Sequence, residues 1–163
     1  MTTIRPATDA DSSAVIEIID ACYREYDGCV LLVDEEEPEL KAPASAFADL
    51  GGGFWVVETE TDGVVGTIAV APADAPGYAR IHKLYVAKAA RGKGLGTKLC
   101  AWAEDAAQDF GADWMVLYTD TRFTEAHRLY ERMGYHRLPG EQKRADASKS
   151  IEYLYSKSLK SSG

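Results

Sequence analysis

Short hydrophobic runs, either alternating with polar residues or almost unbroken, recur along the chain and predict β-strands. The clearest pair is FWVVETE (54–60) and VVGTIAVAPA (64–73). Asp62-Gly63 lies between them, a dipeptide typical of tight antiparallel turns, so this segment is predicted to be a β-hairpin. The same patterns predict four further strands, at residues 3–8, 79–87, 113–119 and 151–159.

Three other stretches carry hydrophobic residues at helical spacing. The first, 9–26, begins at the capping residues Asp9, Asp11 and Ser12 and is expected to end by Gly28. A second helix is predicted from about Gly94 to Gly111, and a third over 123–134. The side chains expected to face the core are Val15, Ile16, Ile19 and Tyr23 in the first helix; Leu95, Leu99, Trp102, Ala106 and Phe110 in the second; and Ala126, Leu129, Tyr130 and Met133 in the third.

The order of these elements predicts one α/β domain built around a mixed sheet. A long connection separates the first helix from the hairpin, and one short helix is expected in it near residues 44–50. The domain is predicted to span 1–158, and the polar end, 159–163, is predicted to be a disordered tail.

Composition narrows the functional classes. The chain has 163 residues and a formal net charge of −8, which argues against a general nucleic-acid binder because such proteins need a broad basic surface. We find no long apolar run and no secretory pattern at the start, so no membrane partner and a cytoplasmic location are expected. Cys22, Cys29 and Cys100 are expected to be free thiols, and no metal site is predicted, because metal-ligand spacings are missing.

The segment RGKGLGTK (91–98) is basic within an acidic protein. No Asp or Glu occurs between Ala75 and Ala103, and the second predicted helix, 94–111, begins inside this window. Glycines there let an anion approach the backbone amides at the helix N-terminus, which attracts negative charge. The segment fits neither a P-loop nor the GxGxxG dinucleotide fingerprint. Its spacing alone therefore leaves two interpretations, an anion-binding turn or a flexible solvated turn.

Two motifs resemble those of the GCN5-related N-acetyltransferase (GNAT) family. RGKGLG (91–96) fits the family's (Q/R)xxGx(G/A) signature, and AHRLYERMGY (126–135) is similar to its A..LYE..GF element. Both motifs lie on the expected elements in the expected order, and the order of elements is similar over about 3–158. The resemblance implies a mostly antiparallel central sheet that is splayed between its fourth and fifth strands and flanked by helices.

The resemblance also implies a direct transfer of an acetyl group from acetyl-CoA to an amine. The pyrophosphate would bind the backbone amides of the signature, and the pantetheine arm would lie against strand 79–87. The residues implied in cofactor binding are Leu84, Tyr85, Val86, Arg91, Gly92, Lys93, Gly94, Leu95, Gly96, Thr97 and Tyr130.

Candidate acid and base residues follow from the reaction, which needs a proton acceptor for the amine and a donor for the departing thiolate. Tyr130 occupies the family's usual tyrosine position and is the candidate acid, with a core tyrosine as the alternative. His82 is the candidate base and is expected to share a side with Leu84 and Val86; a structural histidine is the alternative. Glu58 is a weaker candidate base. Tyr118 could line the gap, although core packing is favoured.

One residue departs from the family pattern. Many relatives have Asn at the position of Phe123, where it contacts the cofactor, so this contact is in doubt; Arg122 and Thr124 could compensate.

The acceptor is not fixed by the motifs. An acidic lip, defined as Asp34, Glu35, Glu36, Glu37 and Glu39, suggests a cationic acceptor such as a polyamine, a lysine side chain or another small amine; the alternative is a solvated loop. Two alternatives stay open: the chain is a catalytically silent acyl-CoA-binding or sensing domain, or it uses an acyl donor other than acetyl-CoA. The sequence also leaves open whether the protein is a monomer or a homodimer.

Overall fold

The computed structural model describes residues 2–160, and within them the chain forms one eight-stranded sheet with helices packed on it. The strands are β1 (Thr2–Pro6), β2 (Gly53–Thr59), β3 (Gly63–Pro72), β4 (Tyr78–Val86), β5 (Trp114–Asp120), β6 (His136–Arg137), β7 (Gln142–Lys143) and β8 (Ile151–Ser158). The α-helices are α1 (Ser12–Tyr23), α2 (Val33–Glu36), α3 (Pro43–Asp49), α4 (Leu95–Asp109) and α5 (Thr124–Arg132). Short 3₁₀ turns cover Asp9–Asp11, Pro38–Lys41 and Lys88–Ala90.

The sheet is mixed and mostly antiparallel, in the order β1-β2-β3-β4-β5-β8-β6, with β7 also paired to β8. Its one parallel pair, β4 with β5, is held only at the start of the two strands, where Tyr78–Arg80 faces Trp114–Val116. Beyond Arg80 the strands separate. The predicted fold class, including the splay between the fourth and fifth strands, is therefore confirmed.

Two hydrophobic clusters cover the two faces of the sheet. On one face α4 and α5 pack against residues such as Val70, Ile81 and Leu117. On the other, α1 and α3 pack against Val56 and Ala69. The edge of β4 that faces the gap to β5 therefore lies between these two hydrophobic clusters. This arrangement positions the cavities described below.

The predicted hairpin is confirmed, with Gly63 at φ 69° closing the turn after Asp62. Helix α1 ends at Tyr23, earlier than Gly28, and the long connection holds α2 as well as the expected helix α3.

The prediction of the buried stripe of α4 is partly wrong. Leu95 and Leu99 are buried as expected, but Trp102 and Phe110 are each 40% exposed. The buried face continues instead through Cys100, Ala103 and Ala107. These smaller side chains let the helix pack closely on β3 and β4, which large aromatic rings would prevent.

A bulge interrupts β4 between its two halves. The pairing with β3 shifts between Thr67 and Ala69, so that Ala69 faces His82 while Thr67 faces Tyr85. Lys83 lies at the bulge with φ 55°, a conformation that side chains other than glycine adopt at a cost. The hydroxyl of Thr67 donates to the Lys83 carbonyl at 2.7 Å and stabilises this conformation.

The prediction of a disordered tail over 159–163 is wrong at its first residue, Leu159. This residue is buried and its backbone amide donates to the Asp113 carbonyl at 2.7 Å. Residues 161–163 of that prediction lie outside the described residues. Across 2–160 no helix combines the length and the apolar character needed to traverse a bilayer.

Candidate active site

Two cavities meet where β4 and β5 separate. The smaller, of about 280 Å³, lies between β4, the start of α4 and α5. The larger, of about 610 Å³, lies on the side of the acidic lip and the loop before β8. Leu84, Tyr85, Phe123 and Ala126 line both cavities, so a ligand could pass from one into the other at this junction.

Unpaired backbone donors line one end of the smaller cavity. Within the described chain, none of the backbone amides of residues 92–97 donates a hydrogen bond, and the first α4 amide with an acceptor is that of Lys98. Gly94 is the N-cap of α4. Free amides and the positive end of a 15-residue helix together favour an anion.

The glycines keep this end of the cavity open. Gly92 and Gly94 have φ values of 80° and 78°, and a Cβ at either position would meet no atom within 4 Å. Gly96 is different, because a Cβ there would lie 2.9 Å from Leu129 Cδ2. Two of the glycines thus supply the backbone conformation and the third supplies the close contact between α4 and α5.

Arg91 ties this turn to α1. Its guanidinium donates two hydrogen bonds to the Glu25 carboxylate in a bidentate ion pair, Nη1 to Oε1 at 2.7 Å and Nη2 to Oε2 at 2.6 Å. Its Nε donates to the Val86 carbonyl at 3.0 Å. The pKa of the Glu25 carboxyl is lowered by this contact. The Arg91 side chain therefore links the turn to α1 and β4. The Val86 carbonyl accepts a hydrogen bond from Arg91 within the protein.

Tyr130 lies on α5, is buried, and is one of the residues that line the larger cavity. Burial raises the pKa of this hydroxyl well above 10, so it stays protonated at neutral pH. Its oxygen makes no hydrogen bond with residues 2–160, whereas the other two buried tyrosines, Tyr135 and Tyr155, donate to Glu104 and Glu131. Tyr130 therefore holds a free proton donor.

His82 also lines the larger cavity, but not on the side expected from simple alternation. The bulge at Lys83 places the His82 ring against Phe47, at 5.3 Å between centroids, while Leu84 and Val86 pack against the opposite cluster. The expectation of a shared side is wrong for this reason. Neither ring nitrogen is hydrogen-bonded within the described chain, and burial, with Arg80 and Lys83 nearby, lowers the pKa of His82 to about 3. The ring is therefore neutral at pH 7.

A chain of hydroxyls that the sequence did not suggest runs from the junction to the acidic lip. Tyr85 donates to Tyr23 at 3.4 Å, and Tyr23 donates to Glu37 at 3.0 Å. Burial raises the pKa of both phenols. Tyr23 and Glu37 come from elements without a motif, so only the packing of α1 on β4 reveals this connection.

Most carboxylates of the acidic lip already have partners. Glu37 and Glu39 share Lys83, at 2.6 and 2.8 Å. Asp34 pairs with Lys41, and Glu36 accepts from the amide of Ala147 at 2.8 Å. Only Glu35 has no partner within residues 2–160. The lip thus offers less free negative charge than its sequence indicates.

The remaining candidates fall in different places. Phe123 packs on Tyr26, at 5.0 Å between ring centroids, and covers the junction. Arg122 makes two hydrogen bonds with Asp120, at 2.8 and 2.9 Å, so it does not extend toward the turn at 91–97. Glu58 pairs with Arg5 and lines neither cavity.

Tyr118 faces the larger cavity rather than the core, between Arg80 and Arg144. The favoured prediction of core packing is therefore wrong for this residue. In the described part of the chain, His, Cys, Asp and Glu side chains form no group of three or more that could hold a metal ion.

Comparisons with known proteins identify the family. A profile described as "Acetyltransferase (GNAT) family" matches residues 13–135. The chain is 30% identical over 141 residues to the uncharacterized N-acetyltransferase YjgM of Escherichia coli (strain K12), covering 83% of this chain and 82% of that one.

Solved structures share the fold. A GNAT-family acetyltransferase from Staphylococcus aureus Mu50 superposes with a TM-score of 0.83 and 21% identity, over 98% of this chain and 100% of that one. The structure of yncA from Salmonella typhimurium with its cofactor acetyl-CoA superposes with a TM-score of 0.74 and 21% identity, over 100% of this chain and 96% of that one. Together with the two motifs and the splayed sheet, the profile match shows that this chain belongs to the acetyltransferase (GNAT) family.

Proposed function

We propose that the protein transfers an acetyl group from acetyl-CoA directly to a primary amine. The observation that carries this proposal is the junction of the two cavities. Free backbone amides suited to phosphate lie on one side, and a free tyrosine hydroxyl and a neutral histidine lie on the other. A donor and an acceptor can therefore meet at Leu84 and Tyr85.

The smaller cavity suits the donor. The amides of residues 92–97 can donate to the pyrophosphate, and Lys93 and Lys98 add positive charge nearby. Leu84, Tyr85 and the amide of Val86 form the wall along which the pantetheine arm would lie. The structure of yncA, which shares this fold, holds acetyl-CoA, in agreement with this assignment.

Tyr130 and His82 would handle the protons. The amine nitrogen attacks the thioester carbonyl carbon, a C–N bond forms, and the C–S bond breaks. His82 accepts a proton from the nitrogen, and Tyr130 donates a proton to the departing thiolate sulfur. The free hydrogen-bonding groups of both side chains in the larger cavity support these roles. The pKa of about 3 makes His82 a weak base in the ligand-free protein, so this role is the less strongly supported of the two.

The acceptor is a primary amine: a small amine, a polyamine or a lysine or peptide amine. The cationic subset rests on the acidic lip, and the pairing of Glu37 and Glu39 with Lys83 weakens its attraction for a cation. Those contacts favour a small amine that is recognised by other groups in the cavity.

The test is release of free thiol from acetyl-CoA with a panel of primary amines. We expect acceptor-dependent thiol release by the wild-type protein and little by Tyr130→Phe. A silent acyl-CoA-binding domain would bind coenzyme A with normal affinity and release no thiol with any amine.

A further inference from the structure

Arg80 is a charged side chain without a counterion in the larger cavity. It lies on β4, two residues before His82, and its guanidinium makes no hydrogen bond or ion pair with any residue from 2 to 160. Its Nε is fully buried and unpartnered. Burial lowers the pKa of Arg80. A buried, unpaired donor on a cation is unfavourable, and native proteins rarely retain one without a use.

A second arginine shares the same aromatic ring. The guanidinium carbons of Arg80 and Arg144 lie 4.7 and 5.2 Å from the centroid of Tyr118. Arg144 is paired with Glu152 at 2.5 Å, so the cluster of Arg80, Arg144 and Glu152 carries two positive charges and one negative charge. The other nearby carboxylate, Asp74, is exposed. One positive charge therefore has no partner within this cluster. Of the other carboxylates that line the cavity, Glu37 and Glu39 are paired with Lys83, and Asp120 is paired with Arg122.

Three strands fix this cluster beside the candidate base. Arg80 and His82 lie on β4 before the bulge, Tyr118 on β5 and Glu152 on β8, and all four line the larger cavity. Two residues along a strand are about 7 Å apart. A group bound by Arg80 would therefore lie a few bonds from an amine placed near His82.

We propose that Arg80, supported by Arg144 and Tyr118, binds an oxyanion carried by the acceptor amine. The acceptor class is thus a compact amine with a carboxylate or phosphonate group a few bonds from its nitrogen. Arginine presents its donors in a fork that matches either oxyanion. This inference rests on the proposed acetyl transfer, because it assigns the substrate class of the same site.

The first experiment measures kcat/KM for matched acceptors with the full chain. The set comprises an α-amino acid, its amide, an aminoalkylphosphonate, a simple alkylamine and a polyamine. We expect the two oxyanion-bearing amines to exceed the uncharged and cationic ones by about 10- to 100-fold. The carboxylate and phosphonate members decide which oxyanion is preferred.

The second experiment compares Arg80→Gln with the wild type. The variant should raise KM for oxyanion-bearing acceptors by about 10- to 100-fold and leave the KM for acetyl-CoA unchanged. Arg128→Gln is the matched control, because Arg128 is exposed, lines neither cavity and carries the same charge. A purely structural Arg80 would instead lower the melting temperature and change both KM values.

A binding arm separates failure of this inference from failure of the proposed function. Methylphosphonate and butyrate are titrated through the millimolar range against wild type and Arg80→Gln, followed by melting temperature. Arg80-dependent stabilisation supports the oxyanion site even if no amine is acetylated. Two results would overturn the oxyanion site. One is efficient acetylation of polyamines or alkylamines that is unaffected by Arg80→Gln. The other is the absence of Arg80-dependent stabilisation in a protein that acetylates no amine.

Discussion

Substituting Gly94 tests the donor turn with a matched pair of variants. Gly94 has φ 78° and a Cβ there would meet no atom within 4 Å, so the cost to folding comes from the backbone alone. Asn and Asp adopt this left-handed backbone conformation more readily than other non-glycine residues, and the expected cost in folding free energy is about 1–2 kcal/mol or less. We therefore expect Gly94→Asn and Gly94→Asp to fold, with melting temperatures lowered by at most about 2–8 °C.

The two variants differ in coenzyme A affinity through charge. A carboxylate about 5 Å from a phosphate in partly solvated surroundings costs about 3 kcal/mol, which is roughly a 100-fold change in Kd. Titration calorimetry should therefore show Gly94→Asp binding coenzyme A about 100-fold more weakly than Gly94→Asn at low salt. The gap should narrow as salt screens the charges.

Pantetheine, which lacks the pyrophosphate, is the control ligand, and both variants should bind it equally. Equal Kd values of Gly94→Asp and Gly94→Asn for coenzyme A, or a gap that salt leaves unchanged, would refute the placement of phosphate at residues 92–97.

Three further outcomes are expected. Tyr130→Phe should lower kcat by about 100-fold or more with little change in donor affinity, measured by steady-state kinetics and calorimetry; a change below twofold would return Tyr130 to a packing role. His82 has a pKa of about 3 in the folded state, against about 6.5 when unfolded, so the unfolded state binds more protons between these values. The contribution of neutral His82 to the free energy of unfolding is therefore fully present above about pH 6.5 and is lost as pH falls toward 3, with a loss of about 2 kcal/mol at pH 5. Urea unfolding of His82→Asn should lack this loss. Gly52→Ala should destabilise by about 4 kcal/mol or more in the same unfolding assay, because its Cβ would overlap the Val70 carbonyl oxygen; a loss below about 1 kcal/mol would mean that β3 can move aside.

Local signals were sufficient for most of the fold. The Asp62-Gly63 turn and the glycine that precedes α4 determine their own backbone conformation, so the hairpin and the helix start follow from the sequence. The buried side of α4 did not follow. The pattern favoured Trp102 and Phe110, but close packing on β3 and β4 selects smaller side chains.

The site was predictable only where a motif marks it. The turn at 91–97 and Tyr130 belong to family motifs, and the structure places them at two adjoining cavities. The side of His82 could not be read from alternation, because the bulge at Lys83 depends on contacts with Thr67, Glu37 and Glu39 from distant segments.

Arg80 shows the same limit. In the sequence it is one of several basic residues between Ala75 and Ala103. Its unpaired burial arises only when β5 and β8 bring Tyr118 and Glu152 beside β4. Nothing in the residues adjacent to Arg80 carries that information.

The most direct test of acetyl transfer is the mass of the acceptor after incubation with the wild-type protein and acetyl-CoA. The account predicts a product heavier than the acceptor amine by one acetyl group, with one free coenzyme A released for each product formed. Unchanged acceptor mass across the amine panel, in a protein that binds coenzyme A normally, would contradict it.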